Sequence, residues 1–447
     1  MQWSLARLCL LFHLILLVPL SSCNLWNRLW GRKASRSARG IRRSALISSP
    51  REGNAPLSSP SRASSSSTHN DLKSTIQYPP LLLFILSTQS CGASPLNPQI
   101  IATSGPFFQG WLVRQVDHSQ NTSFILVIGS FSSSQSATYD EHYIFCGLHS
   151  KATGSHEHHI FPSEVDIHGT SPALLSDNIN VTWSAKDIGF FKLEGEKGQV
   201  DLEIKDIRLK CQIENRVPWK TSSPLSAPSP EGWLGYTPLL PCHYAIHSTG
   251  SSCDYSLTIS SKGQALRGKG HCHIEGNHGN FFPDGWVWSQ AIAPSNKASM
   301  SLIGGRFVVG GLSLIQWVVY LRRGNKINIF RTIDLDKFAY EVNPFSGMLR
   351  VTAVTLSGMT KMEITITSDP IHSYTPPLYI PTRRGFQNSP GCRETYTALA
   401  KVAVLQRSGE GDGYYLEEEV EFPLTALEFG GLFQFSRLQK GDFRNKL

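Results

Sequence analysis

Val200, Leu202 and Ile204 alternate with Asp201, Glu203 and Lys205, which is the two-residue period of a strand with one buried face. Tyr255, Leu257 and Ile259 repeat the pattern, as do Met362, Ile364 and Ile366 against Lys361, Glu363 and Thr365. Phe124 to Ile128 and Tyr143 to Phe145 are short apolar runs between turn signals and also read as strands. Leu314 to Leu321 is apolar apart from Gln316, as in a central strand, and Tyr396 to Gln406 is long enough for an extended one. No long helical period accompanies them. The pattern predicts an all-β chain, and 37 Gly and 26 Pro supply the turns.

The series is broken at residues 218–241, where Pro218, Pro224, Pro228, Pro230, Pro238 and Pro241 stand among serines. That is a linker composition. It divides the folded part into 95–217 and 242–440, each of a size to form one small antiparallel β-barrel.

Charge changes the picture at the N-terminus. Arg7 precedes an apolar run from Leu8 to Leu20, and the small residues Ser21, Ser22 and Cys23 follow. This is the layout of a secretory signal peptide over residues 1–23. Residues 24–94 begin rich in Arg and Ser and poor in acids, like a transit peptide. Together they predict a bipartite leader to a plastid. The alternatives are a secreted chain with a disordered basic linker, or a lipid anchor at Cys23, since Leu20-Ser21-Ser22-Cys23 resembles a lipobox. The stretch Leu81 to Leu86 is too short to cross a bilayer.

Nine Lys or Arg and no acid lie within residues 1–51. Removing those nine from 42 leaves 33 basic against 34 acidic residues. The net charge of +8 therefore belongs to the leader, which argues against nucleic acid as a partner. Six cysteines fall in the folded part: Cys146, Cys211, Cys242, Cys253, Cys272 and Cys392. No CxxC occurs, so they read as small buried apolar residues or, in an oxidising compartment, as disulfide partners. His156-Glu157-His158-His159 reads as a solvated loop rather than a metal site, and His271 and His273 share one strand face with Cys272 on the other. Asn121-Thr122-Ser123 and Asn180-Val181-Thr182 are glycosylation sequons for a lumenal chain.

Three segments carry a family resemblance. Pro106-Phe107-Phe108-Gln109-Gly110-Trp111-Leu112-Val113-Arg114 resembles the opening motif of tocopherol cyclases, Phe-Phe-Glu-Gly-Trp-Tyr-Phe followed by Arg or Lys. Glu275-Gly276-Asn277-His278-Gly279, Phe282-Pro283 and Trp286-Val287-Trp288-Ser289-Gln290 resemble the central Glu-Lys-Asn-Trp-Gly, Phe-Pro and Trp-x-Trp-x-Gln elements, in order. Ala426-Leu427-Glu428-Phe429-Gly430-Gly431 resembles the closing Glu-hydrophobic-Gly-Gly segment. Pro381-Thr382 and Cys392-Arg393-Glu394 also fall in the expected order. The resemblance covers about residues 100–435. Departures stand at Gln109 (Glu in the family), Leu112 (Tyr), Gly276 (Lys) and His278 (Trp).

The resemblance implies two lipocalin-like antiparallel β-barrel domains. It also implies closure of a chromanol ring on a prenylated quinol, with peripheral membrane association. That reaction is redox-neutral and implies no cofactor and no metal. It needs a neutral carboxylic acid to protonate an alkene, and an apolar pocket keeps a carboxyl protonated. Glu275 is the first candidate acid and Asp284 the second, with His278 as proton relay or base. Trp111, Trp286 and Trp288 offer ring faces to a carbocation. Phe108, Gln109, Asn277 and Gln290 complete the expected substrate-binding set. The competing reading is a non-catalytic lipocalin-like binding protein for a lipid, quinone or pigment.

Overall fold

The computed structural model describes residues 107–132, 141–170, 179–221, 229–236, 240–309, 312–374, 377–408, 413–435 and 439–442. The chain divides into two compact units, Met1–Ser90 and Cys91–Leu447, and every described residue belongs to the second. The expected signal peptide, the transit-like tract, Cys23 and the Leu81 to Leu86 stretch lie outside the described residues.

The described residues are nearly all strand, with short 3-10 turns as the helical elements. The first sheet contains β1 (Phe107–Asp117), β2 (Thr122–Ser132), β3 (His142–Ser150), β4 (Gly154–Ile160), β5 (Val165–Thr170) and β6 (Asn180–Ala185). It continues with β7 (Gly189–Glu194), β8 (Lys197–Ile204), β9 (Ile207–Glu214), β10 (Cys242–Ile259) and β11 (Gln264–Gly279). The second contains β12 (Gly285–Ile292), β13 (Ala298–Val309), β14 (Leu312–Arg323), β15 (Lys326–Arg331), β16 (Lys337–Asn343) and β17 (Met348–Val354). Then come β18 (Thr360–Thr367), β19 (Leu378–Thr382), β20 (Gly385–Arg407), β21 (Tyr414–Gly431) and β22 (Gln439–Asp442).

The strand order is β4-β3-β2-β1-β11-β10-β9-β8-β7-β6-β5 in the first sheet. In the second it is β15-β14-β13-β12-β21-β20-β18-β17-β16-β22, with β19 paired to β20. Pairings between these strands are antiparallel. The fold is all-β, built from two large curled antiparallel sheets of lipocalin-like character.

Each sheet wraps its own apolar core. Val200, Leu202 and Ile204 of β8 join Tyr255, Leu257 and Ile259 of β10 in the first. Met362, Ile364 and Ile366 of β18 enter the second. The period-two patterns thus point inward as the sequence predicts. Leu314 departs from its reading: it is exposed at the start of β14, and burial sets in with Trp317, Val319 and Leu321. A third cluster lies between the sheets, drawing Phe108, Leu112 and Tyr143 from one and Trp286, Trp288 and Tyr396 from the other.

The division between the sheets falls later than the Pro-rich segment suggests. β10 and β11 follow that segment, yet they pair with β9 and β1 of the first sheet. Part of the segment is packed rather than a free spacer. Trp219 is buried and stacks on Tyr320 with centroids 4.3 Å apart, and Arg331 Nη1 donates to Ser229 O at 2.9 Å. The six cysteines are all buried and free of disulfides.

Candidate functional site

A cavity lies among the residues of the inter-sheet cluster, and its wall is mainly aromatic and aliphatic: Phe108, Leu112, Phe282, Trp286, Trp288 and Phe386 all border it. Glu231 borders it, and so do three more carboxyl side chains: Glu275, Glu394 and Glu428. They are 2%, 1% and 7% exposed, so water does not screen them from one another.

Strand register brings these groups together. Leu112 on β1 pairs with Glu275 on β11, which sets Glu275 toward the inter-sheet face. On the second sheet Trp288, Glu428 and Glu394 form one row across β12, β21 and β20. Trp286, Gly430 and Cys392 form the next row. Residues of such a row share one face of the sheet. The Gly-Gly of the closing segment then has a steric reason. A Cβ on Gly430 would fall 1.9 Å from the Trp286 ring, and Gly431 holds φ +54 with its Cβ position 2.2 Å from Asp284 O.

Glu275 is the acceptor of a converging set of donors. Tyr244 O–H donates to its Oε2 at 2.7 Å and Trp288 Nε1–H at 3.1 Å. His273 Nε2 lies 2.7 Å from the same oxygen. Both His271 and His273 had been read as one strand face, and His273 is the member that meets a carboxyl group.

Glu394 and Glu428 behave differently, because they share a hydrogen bond with each other. Burial raises the Glu428 pKa well above the ordinary carboxylate value, and the neighbouring Glu394 raises it further. Burial also raises Glu394, opposed by its hydrogen bonds to Glu428 and Tyr396. Two carboxyl groups this close in an apolar wall hold one proton between them. Trp286 Nε1–H donates to Glu428 Oε1, and Tyr396 O–H donates to Glu394 Oε2 at 2.6 Å. Cys392 lies beside the pair, and burial pushes its thiol well above the ordinary value.

Other members of the sequence-predicted set scatter. Phe108, Asn277, Trp286 and Trp288 border the cavity. Asp284 does not; its backbone carbonyl accepts from Leu432 N at 2.8 Å, and it serves the turn that seats Gly431. His278 does not border the cavity either. It stacks on His243 with centroids 5.2 Å apart, and burial, followed by His243 and His247, lowers its pKa to about 3. It is thus neutral near pH 7 and is not a proton donor there. Gln290 is tied to Arg114, whose Nη1 donates to both oxygens of Gln290 and whose Nη2 donates to Leu424 O. Gln290 thereby anchors a buried guanidinium, which burial lowers to about 9.

Gln109 and Trp111 border the cavity, but by register they lie on the opposite face of β1 from Leu112. Gln109 pairs with His278 and Trp111 with Gly276. Trp111 accordingly belongs to the first sheet's own core. Three of the four departures from the family pattern, Gln109, Gly276 and His278, therefore sit together on the face away from Glu275. Only Leu112 lies beside it.

Glu394, Glu428, Tyr244 and Tyr396 are not among the site residues expected from the sequence, and His273 enters there only as a strand-face neighbour of His271. The available signal was position: Glu394 and Glu428 both stand inside segments that carry the resemblance.

No family model matches the sequence, and no curated protein does. Solved structures do match in shape. CghA aligns over 75% of this chain and 94% of its own at 9% identity, with a TM-score of 0.50. A putative AttH from Nitrosomonas europaea aligns over 72% and 92% at 12% identity and a TM-score of 0.42. Kievitone hydratase from Nectria haematococca aligns over 72% and 88% at 10% identity and a TM-score of 0.40. At such identities the likeness is one of architecture: this chain and CghA share a lipocalin-like fold of two curled sheets.

Proposed function

We propose that the chain is an acid–base enzyme that closes a ring on a prenylated quinol by adding a phenol across an alkene, as tocopherol cyclases do. The observation that carries this reading is the Glu394–Glu428 pair. It is a carboxyl pair that burial and mutual proximity favour in protonated form, held in a mainly apolar cavity with a further carboxyl group, Glu275, furnished with donors. The motif resemblance supports a prenylquinol as the substrate class.

The acid assigned here is Glu428 rather than Glu275. Glu428 gives its proton to one alkene carbon, leaving a tertiary cation on the other. Trp286 and Trp288 border the cavity with their N–H groups on Glu428 and Glu275, and an aromatic face presented to the cation would contribute ~0.5–2 kcal/mol. The phenol oxygen forms the new C–O bond and its proton passes to Glu275. Glu275 and the pair then exchange that proton, so the enzyme ends as it began. No electrons are gained or lost.

Incubating the purified protein with a prenylquinol and separating products by mass tests the reading. A chromanol isomeric with the substrate is expected. Tight binding with no chromanol would overturn it in favour of the binding-protein reading.

A further inference from the structure

Outside the cavity, three cysteines meet in the first sheet's core. Cys211 on β9, Cys253 on β10 and Cys272 on β11 are each at most 3% exposed, and their sulfur atoms lie within 4.8 Å of one another. Side chains from three adjacent strands thus converge at one point, with Cys211 separated from the other two by the Pro-rich segment.

The register argues against a disulfide as the purpose of this convergence. Cys253 pairs with Ile213 and Gly270, so Cys211 and Cys272 each stand two residues off the directly opposed position. Such diagonal neighbours lie about 7–8 Å apart along the backbone, beyond the roughly 4.4–6.8 Å that a disulfide spans between Cα atoms. Three sulfurs around one ion fit better. A metal–sulfur bond of about 2.3 Å in trigonal geometry places sulfurs about 4.0 Å apart.

We propose that Cys211, Cys253 and Cys272 form a three-sulfur site for a soft cation, Cu(I) being the biological ion that accepts three such ligands. Among the described residues no fourth His, Cys, Asp or Glu ligand joins the group, which disfavours Zn(II), an ion that takes four. Binding forms metal–sulfur bonds, and each thiol that ionises releases one proton to solvent. No redox step is involved. The ion would join strands on either side of the Pro-rich segment.

The test is to load the reduced full chain anaerobically with Cu(I), remove loosely held copper with a chelating competitor, and record metal content and X-ray absorption. One copper per chain with three sulfur neighbours at about 2.3 Å is the expected result, retained against excess Zn(II). Cys253→Ala should lower affinity at least a hundredfold, whereas Cys146→Ala, a core cysteine outside the cluster, should leave it unchanged. No retained copper, fewer than three sulfurs, or undiminished retention in Cys253→Ala would each overturn the site. If Cys253→Ala does not fold, the sulfur count of the unsubstituted chain decides alone.

Discussion

Two carboxyl groups in this cavity differ in what surrounds them, and that difference assigns their roles. Glu428 has a carboxyl partner and a raised pKa; Glu275 has three donors around one oxygen. Glu428→Gln keeps the shape and the link to Trp286 but has no acidic proton. Turnover should fall ~10²–10⁴-fold, the usual cost of losing a general acid, with substrate affinity retained. Glu275→Gln should also slow turnover while leaving the basic limb of the pH–rate profile in place, because that limb belongs to the pair. Kinetics of the two variants against pH separate these outcomes, and an unshifted Glu428→Gln rate would remove the pair from the mechanism.

The raised pKa also has a stability consequence with a definite sign. The folded state holds the Glu428 proton above the ordinary value of 4.5, so it binds more protons than the unfolded chain there. Stability contributed by this group is therefore full below about 4.5 and is lost as pH rises through the raised value. Denaturation midpoints measured from acid to neutral pH should fall less steeply in Glu428→Gln than in the unsubstituted chain. The family resemblance implies a neutral carboxylic acid but does not say which one. The choice depends on a neighbour supplied by the pairing of β20 with β21, and a linear reading does not contain that pairing.

At the scale of the strand, alternation was legible and partnership was not. Val200, Leu202 and Ile204 point inward because period two is a local property of the backbone. The same rule, applied across β1 and β11, sorts three of the four departures from the family pattern onto one face, but only once the register of Leu112 against Glu275 is known. Asp284 stands outside the cavity wall, and its backbone carbonyl closes the turn before β12, a placement that an acid after Phe-Pro does not reveal in the sequence. Gly430 in β21 and Gly413 just before that strand offer a direct check. Gly430→Ala would drive a methyl into the Trp286 ring and should destabilise the protein by at least about 1–3 kcal/mol, the range for overpacking a core. Gly413→Ala, with nothing within 4 Å, should be neutral. Equal midpoints for the two variants would contradict the packing of β12 on β21.

For the molecule as a whole, the apolar pattern conveyed the fold class, but the Pro-rich segment does not mark where one sheet ends. Composition marks a chain's local stiffness and says nothing of which strands pair across it. Since the second compact unit begins at Cys91, a fragment of residues 91–447 should unfold cooperatively at the same midpoint as the full chain. A lower midpoint would show that residues before Cys91 stabilise it.

The position of β1 between β2 and β11 has a further consequence during synthesis. Residues up to Asp117 leave the ribosome long before Gly279, yet β1 has no partner on one side until β11 arrives. At translation rates of about 5–20 residues per second, that edge stays open for roughly 8–32 seconds. Throughout that interval the nascent chain presents Phe108, Leu112 and an unpaired row of amides to any neighbouring polypeptide, so its yield in a cell depends on chaperone occupancy as well as on final stability.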